Sequence, residues 1–208
     1  MHSVWGKESC HRGVNMGLTA ADAVSFLTTN KAILKINFSL LRYKVYPGAY
    51  QKDVADAITS GEIKVNSSGK AVKAGAAASY YPDYDSLDVS ATFNILDPDD
   101  QTYLVHECTH AHIDIQTLGV VDYHENEAVA FVAEALFSLA SSYTPVGSDP
   151  IRLASQAIAA NLLAGNYAVP AADAASLVSV IRSHPHYMGR PPVDSNGFKR
   201  SMWQNLIR

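Results

Sequence analysis

The stretch "DPDDQTYLVHECTHAHIDIQT", residues 97–117, decides how the chain is read. Asp97 offers a capping oxygen, Pro98 suits the first helical position, and Asp100 follows three residues past the cap. The spacing predicts a helix from 98 onward, with Gly119 as its natural stop. His106 and His110 are four apart, so they project from one face of that helix and can reach a single cation. Glu107 is one step round, beside the cation rather than on it. This is the His-Glu-x-x-His arrangement, in which two histidines bind zinc and the glutamate serves as general base. Zinc lowers the pKa of a water toward about 7, and the carboxylate can carry its proton to a leaving amine.

Other polar residues of the stretch fall on other faces. Cys108 reads as a buried apolar filler and His112 as a solvated histidine. Asp114, four past His110, suits either an acceptor for the His110 ring or an exposed aspartate near the helix end. Just upstream, "LDVSATFNI" (87–95) alternates apolar and polar residues over its whole length, which predicts a strand with one buried face. Downstream, Asp122 and Glu125 form a capping pair ahead of "ENEAVAFVAEALFSLASS" (125–142), a second helix.

Further out, Thr19 and Asp22 predict a capped helix, and residues 51–61 a short helix stopped by Gly61. "EIKVNSSGKAVKAG" (62–75) reads as a hairpin about "NSSG". Two Ala-rich helices are expected over 150–165 and 170–183, then a loop, then a short helix over 198–207. The expected architecture is α+β in one domain over 1–208: a small antiparallel sheet within about 1–97 and a mainly helical part from about 98.

Composition narrows the function classes. With 48% hydrophobic and 17% charged residues the chain is globular rather than disordered. A net charge of −4 gives no basic surface for nucleic acid or anionic lipid. Two cysteines, Cys10 and Cys108, supply no disulfide framework, and no run has the apolar length of a membrane span. The first residues lack the apolar centre of a secretory signal, so a cytoplasmic location is expected, with secretion as an effector left open.

"VHECTHAHIDIQ" followed by "NEAVAFVAEALF" resembles the zincin metallopeptidases, gluzincin type, over roughly residues 87–140. The resemblance implies a zincin-like fold, Zn2+ as cofactor, and a metalloendopeptidase acting on a peptide or protein segment. It implies that His106, His110 and Glu127 are metal ligands and Glu107 the general base. Helix geometry alone leaves Glu134 open beside Glu127. If the two helices pack antiparallel, His110 lies about 13 Å before the turn, Glu127 about 7–8 Å after the cap and Glu134 about 18 Å. Glu134 is otherwise a partner of the ligands, and Glu125 belongs to the cap.

Gluzincins also imply a late tyrosine or histidine that steadies the oxyanion. The loop "SHPHYMGR" (183–190) offers Tyr187 or His186, with His184 and Arg190 alongside; Tyr123 and His124 are rivals near the inter-helix turn. The resemblance also implies that the strand beside the motif helix is an edge that pairs with extended substrate. Three other readings stand beside a general metalloendopeptidase. One is a non-catalytic regulator or partner-binding protein that keeps the fold, and one is a delivered effector or toxin protease. The third is a metal-binding protein using His106, His110, His112 and Asp114, which helix geometry disfavours because His112 leaves the face.

Overall fold

The computed structural model describes residues 17–69, 72, 76–117, 120–145 and 148–194. The expected helix over 198–207, Cys10 and Gly119 lie outside these residues.

Thr19 caps helix α1 (Ala20–Thr29) in a reciprocal box with Asp22, as the sequence predicts. A tight hairpin follows, β1 (Phe38–Leu40) paired antiparallel with β2 (Tyr43–Val45). A π-helical segment, Ala49–Val54, runs straight into α2 (Ala55–Thr59). Gly61 ends it at φ +76°, a conformation that costs glycine little.

The sheet differs from the expectation. Most of the return strand expected after strand β3 (Lys64–Asn66), residues 70–75, lies outside the described residues. Strand β3 pairs in parallel with β5 (Ser86–Val89), and β5 pairs antiparallel with β4 (Ala78–Tyr81). The sheet is therefore mixed rather than antiparallel, in the order β3-β5-β4. Local turn residues suggest a hairpin, but the partner of β3 comes from 20 residues further on.

The strand expected over 87–95 is likewise shorter and more buried. All four residues of β5 are buried, the polar Ser86 and Asp88 included. Asn66 from β3 makes this affordable: its Nδ2 donates to Asp88 Oδ1 at 2.7 Å and to Ser86 Oγ at 3.0 Å. The alternation beyond Val89 belongs to a turn. Phe93 N donates to Ser90 O, and Asn94 collects bonds from Leu96 N and, through its own N–H, with Asp100 Oδ2 at 2.6 Å. Short polar side chains thus draw the backbone out of the ladder. Phe93 still reaches the core, whereas Ala91 is exposed. Because β5 is central, the edge strand of the sheet beside the motif helix is β4.

Helix α3 (Pro98–Gln116) carries the motif, with Asp97 accepting from Asp99 N as its cap. A two-residue strand β6 (Val121–Asp122) leads into α4 (Tyr123–Ala140), which Asp122 caps through Glu125 N. Helices α5 (Pro150–Leu163) and α6 (Ala171–Ser183) complete the helical part, and the tail returns as β7 (Val193–Asp194) against β6. The tail is therefore not wholly loop.

Helix α4 is the centre of the core. It packs against α3, α5 and α6, and most of its residues are buried. Phe137 meets Phe26 of α1 edge-on at 5.6 Å. Helix α3 is enclosed nearly as fully, so its burial pattern has no simple polar side. No described helix is long and apolar enough to cross a membrane.

Candidate metal centre

Antiparallel packing of α3 on α4 brings the two local signals together. Nε2 of His106 lies 3.5 Å and Nε2 of His110 3.9 Å from Glu127 Oε2. One ligand atom from each of the three residues falls within 4.8 Å of the others, so the group could hold a metal ion. Glu134, the alternative from helix geometry, lies behind the first histidine: its Oε2 is 2.9 Å from His106 Nδ1. Asn126 does the same for the second, with Oδ1 at 2.9 Å from His110 Nδ1.

These two contacts test whether the residues suit a cation. Once neutral, a ring that donates Nδ1–H to Glu134 or Asn126 would present a bare Nε2 lone pair on the side of Glu127, as a metal ligand must. Two imidazole nitrogens and a carboxylate oxygen presented in this way are borderline and hard donors that suit a first-row divalent cation. The charge balance points the same way. Burial disfavours a charged His106, yet hydrogen bonding to Glu127 and Glu134 outweighs it and holds its pKa well above the usual value. Burial would raise Glu127, but the His106 contact and the charge of His110 and His106 carry it down to about 2. The cluster thus draws positive charge, which a divalent cation supplies.

Glu107 faces the same cleft. Burial raises its pKa above the usual carboxylate value, while the two histidines and a hydrogen bond from Tyr80 N pull the other way. That bond is 2.6 Å, from the edge strand β4 to Oε2. The Tyr80 hydroxyl donates to Asp114 Oδ2 at 2.8 Å. Asp114 is therefore buried and bonded to Tyr80, and the oriented ring of His110 belongs to Asn126 instead.

The remaining expectations sort themselves by geometry. Cys108 is fully buried, as a filler should be, and burial pushes its thiol up. His112 is not solvated; it is 0% exposed. Its Nε2 is 3.2 Å from the Lys44 carbonyl of β2, Asp53 stands 3.6 Å from Nδ1, and Tyr46 packs edge-on against the ring. The β1–β2 hairpin covers that side of α3, which helical periodicity cannot foresee. Glu125 pairs with Arg42 at 3.5 Å, away from the cluster.

The cleft has a volume of about 500 Å³ and is walled by β4, α3, α4, the start of α5 and the loop after α6. Tyr187, His186, His184 and Tyr123 all line it; His124 and Arg190 do not. Tyr187 packs edge-on against Phe131, which in turn packs edge-on against His106 at 4.7 Å. Burial, then the charge of Glu127, keeps the Tyr187 phenol protonated far above its usual range. Tyr123 gives Glu127 a hydrogen bond that helps to lower it. His184 serves to anchor: Nε2 is 3.1 Å from Asp149 Oδ2, and Nδ1 accepts from His186 N at 3.3 Å. The other oxygen of Asp149 caps α5 through Ile151 N and Arg152 N.

Sequence reading missed Asn126 and Tyr80. Asn126 had a signal, a polar side chain beside Glu127 just before the helix turns mainly apolar. Tyr80 had none, because its partners lie 27 and 34 residues away. Comparison of the chain with family models, curated proteins and solved structures finds no match.

Proposed function

We propose that this protein is a zinc-dependent metallopeptidase of the gluzincin type, with a zincin-like fold. One observation carries the reading: His106 and His110, each backed at Nδ1, turn Nε2 toward Glu127 while Glu107 stands beside them. His106, His110 and Glu127 would hold the ion. Bound there, zinc supplies a Lewis acid for a peptide carbonyl and makes water acidic enough to act as a nucleophile near neutral pH.

The protein's own groups do the rest. Glu107 takes the proton of the attacking water and delivers it to the departing amine; its raised pKa suits both halves of that task. Tyr187, held protonated, is the donor best suited to the oxyanion, with His186 beside it on the same loop. Extended substrate would lie along β4, the edge bordering the cleft, and not along the central β5. The substrate is a peptide or protein segment, and the reaction requires neither nucleic acid nor membrane.

The test measures zinc content and hydrolysis of a broad peptide library. Wild type is expected to hold one zinc and cleave; Glu107→Ala to hold zinc and not cleave; His110→Ala to do neither. A wild type that takes up no zinc at equimolar metal ends the reading. One that holds zinc and cleaves nothing favours a regulator that has kept the site.

A further inference from the structure

We infer that Tyr80 is a positioning residue for Glu107, acting through a two-point clip between strand and helix. In the β4–β5 pairing Tyr80 stands opposite Leu87, and Ala77 O accepts from Ser90 N. Peptide groups in an antiparallel ladder alternate, so those of 77 and 79 turn to β5 and those of 78 and 80 turn away from it. The outward Tyr80 N–H is the one that donates to Glu107 Oε2 at 2.6 Å. The side chain of the same residue extends along α3 to Asp114, where its hydroxyl donates at 2.8 Å. Glu107 and Asp114 are seven residues apart, so they share a face of α3 about 10 Å apart along the axis. One residue thus fastens β4 to α3 at two points, two turns from each other.

The phenol end of the clip is dry. Tyr80 is 8% exposed and Asp114 5%, so water competes little for the phenol bond. A glutamate has three side-chain torsions, and pinning one oxygen removes most of that freedom. Oε1 has no donor among the described residues and is the oxygen left to move protons. The N–H survives any side-chain change, so the phenol sets where that N–H stands. Without it β4 can slide on α3, and the carboxylate follows. This inference rests on the reading of Glu107 as the base.

The experiment compares Tyr80→Phe, Asp114→Ala and Asp114→Asn for kcat, KM and zinc affinity. It adds hydrogen exchange of the amide at position 80, followed by NMR in metal-free and zinc-loaded protein, with Glu107→Ala included. Tyr80→Phe and Asp114→Ala are expected to lower kcat by ~10–100-fold with KM and zinc affinity within about twofold. Asp114→Asn, which still offers an acceptor, should keep more kcat than Asp114→Ala. Exchange at position 80 should quicken at least ~10-fold in Glu107→Ala, whether or not metal is present. Unchanged kcat in Tyr80→Phe overturns the inference, as does parallel loss of zinc and kcat, which marks a purely structural role. Equal exchange in Glu107→Ala overturns it as well. If wild type cleaves nothing, the peptidase reading falls separately, and the exchange measurement alone decides the clip.

Discussion

Asn126 Oδ1 stands 2.9 Å from Nδ1 of His110, one residue before the carboxylate that faces the other nitrogen of the same ring. Two adjacent residues of α4 therefore address opposite sides of one imidazole. Replacing Asn126 with Leu removes the acceptor, frees the ring to rotate and exposes either tautomer to the metal. Zinc affinity is expected to fall by about 10–100-fold. Asn126→Asp keeps an acceptor and should retain most of it. Competition against a chromophoric chelator reads both, and equal affinity for Asn126→Leu and wild type contradicts the assignment.

Glu127 and Glu134 share a face of α4, but Glu127 faces Nε2 of both histidines and Glu134 only Nδ1 of His106, so their alanine variants should behave differently. On the proposed ligand set Glu127→Ala removes one of three ligands and should abolish stoichiometric zinc. Glu134→Ala leaves all three ligand atoms in place and should weaken binding by about 10–100-fold without changing the stoichiometry. Metal content after gel filtration distinguishes them. Zinc retained by Glu127→Ala and lost by Glu134→Ala reverses the assignment.

Zinc binding should be linked to proton release near neutral pH. Burial is outweighed by the Glu127 and Glu134 contacts, which raise the metal-free His106 pKa well above its usual value, so a proton competes with metal for this ring. Only the neutral ring can bind metal. Apparent affinity must therefore rise as pH rises, up to the raised pKa, and level off beyond it. Calorimetric titrations at one pH in two buffers of different ionisation enthalpy give the number of protons released. A pH-independent affinity between pH 6 and pH 8 removes the basis for a protonated His106.

Behind the motif, Tyr50 OH and Thr109 Oγ1 are 2.8 Å apart in a fully buried contact, which ties the π-helical segment to α3. Thr109 Oγ1 also donates to the Val105 carbonyl, so it keeps one partner when the phenol is gone. Tyr50→Phe should cost about 0.5–1.5 kcal/mol by urea denaturation and leave zinc affinity unchanged. The core itself is less forgiving. Phe137→Ala, at a site 1% exposed, should cost about 3–5 kcal/mol.

Much of this was legible in the sequence because it is local. The caps at Thr19, Asp97 and Asp122, the four-residue step from His106 to His110, and the seven-residue step from Glu127 to Glu134 all depend on neighbours along one helix. What stayed hidden depends on packing between distant segments. The polar Asp88 is buried because Asn66 arrives from another strand. His112 is buried because the β1–β2 hairpin supplies a carbonyl 68 residues away. The choice between Glu127 and Glu134 turns on how far α4 slides along α3, a quantity no periodicity contains.

Asp149 divides its two oxygens between separate tasks, Oδ1 to the amides that open α5 and Oδ2 to the imidazole of His184. A single side chain thus joins a scaffold helix to the loop that carries His186 and Tyr187 over the cleft. The division makes the two tasks mutationally separable. Asp149→Asn can keep the helix start while giving up the carboxylate oxygen that faces His184, and His184→Ala cuts the tether without touching the helix. The height of the loop above the cleft is therefore adjustable in a protein whose core stays as it was. That gives selection, or an engineer, a means of tuning access without a toll on folding.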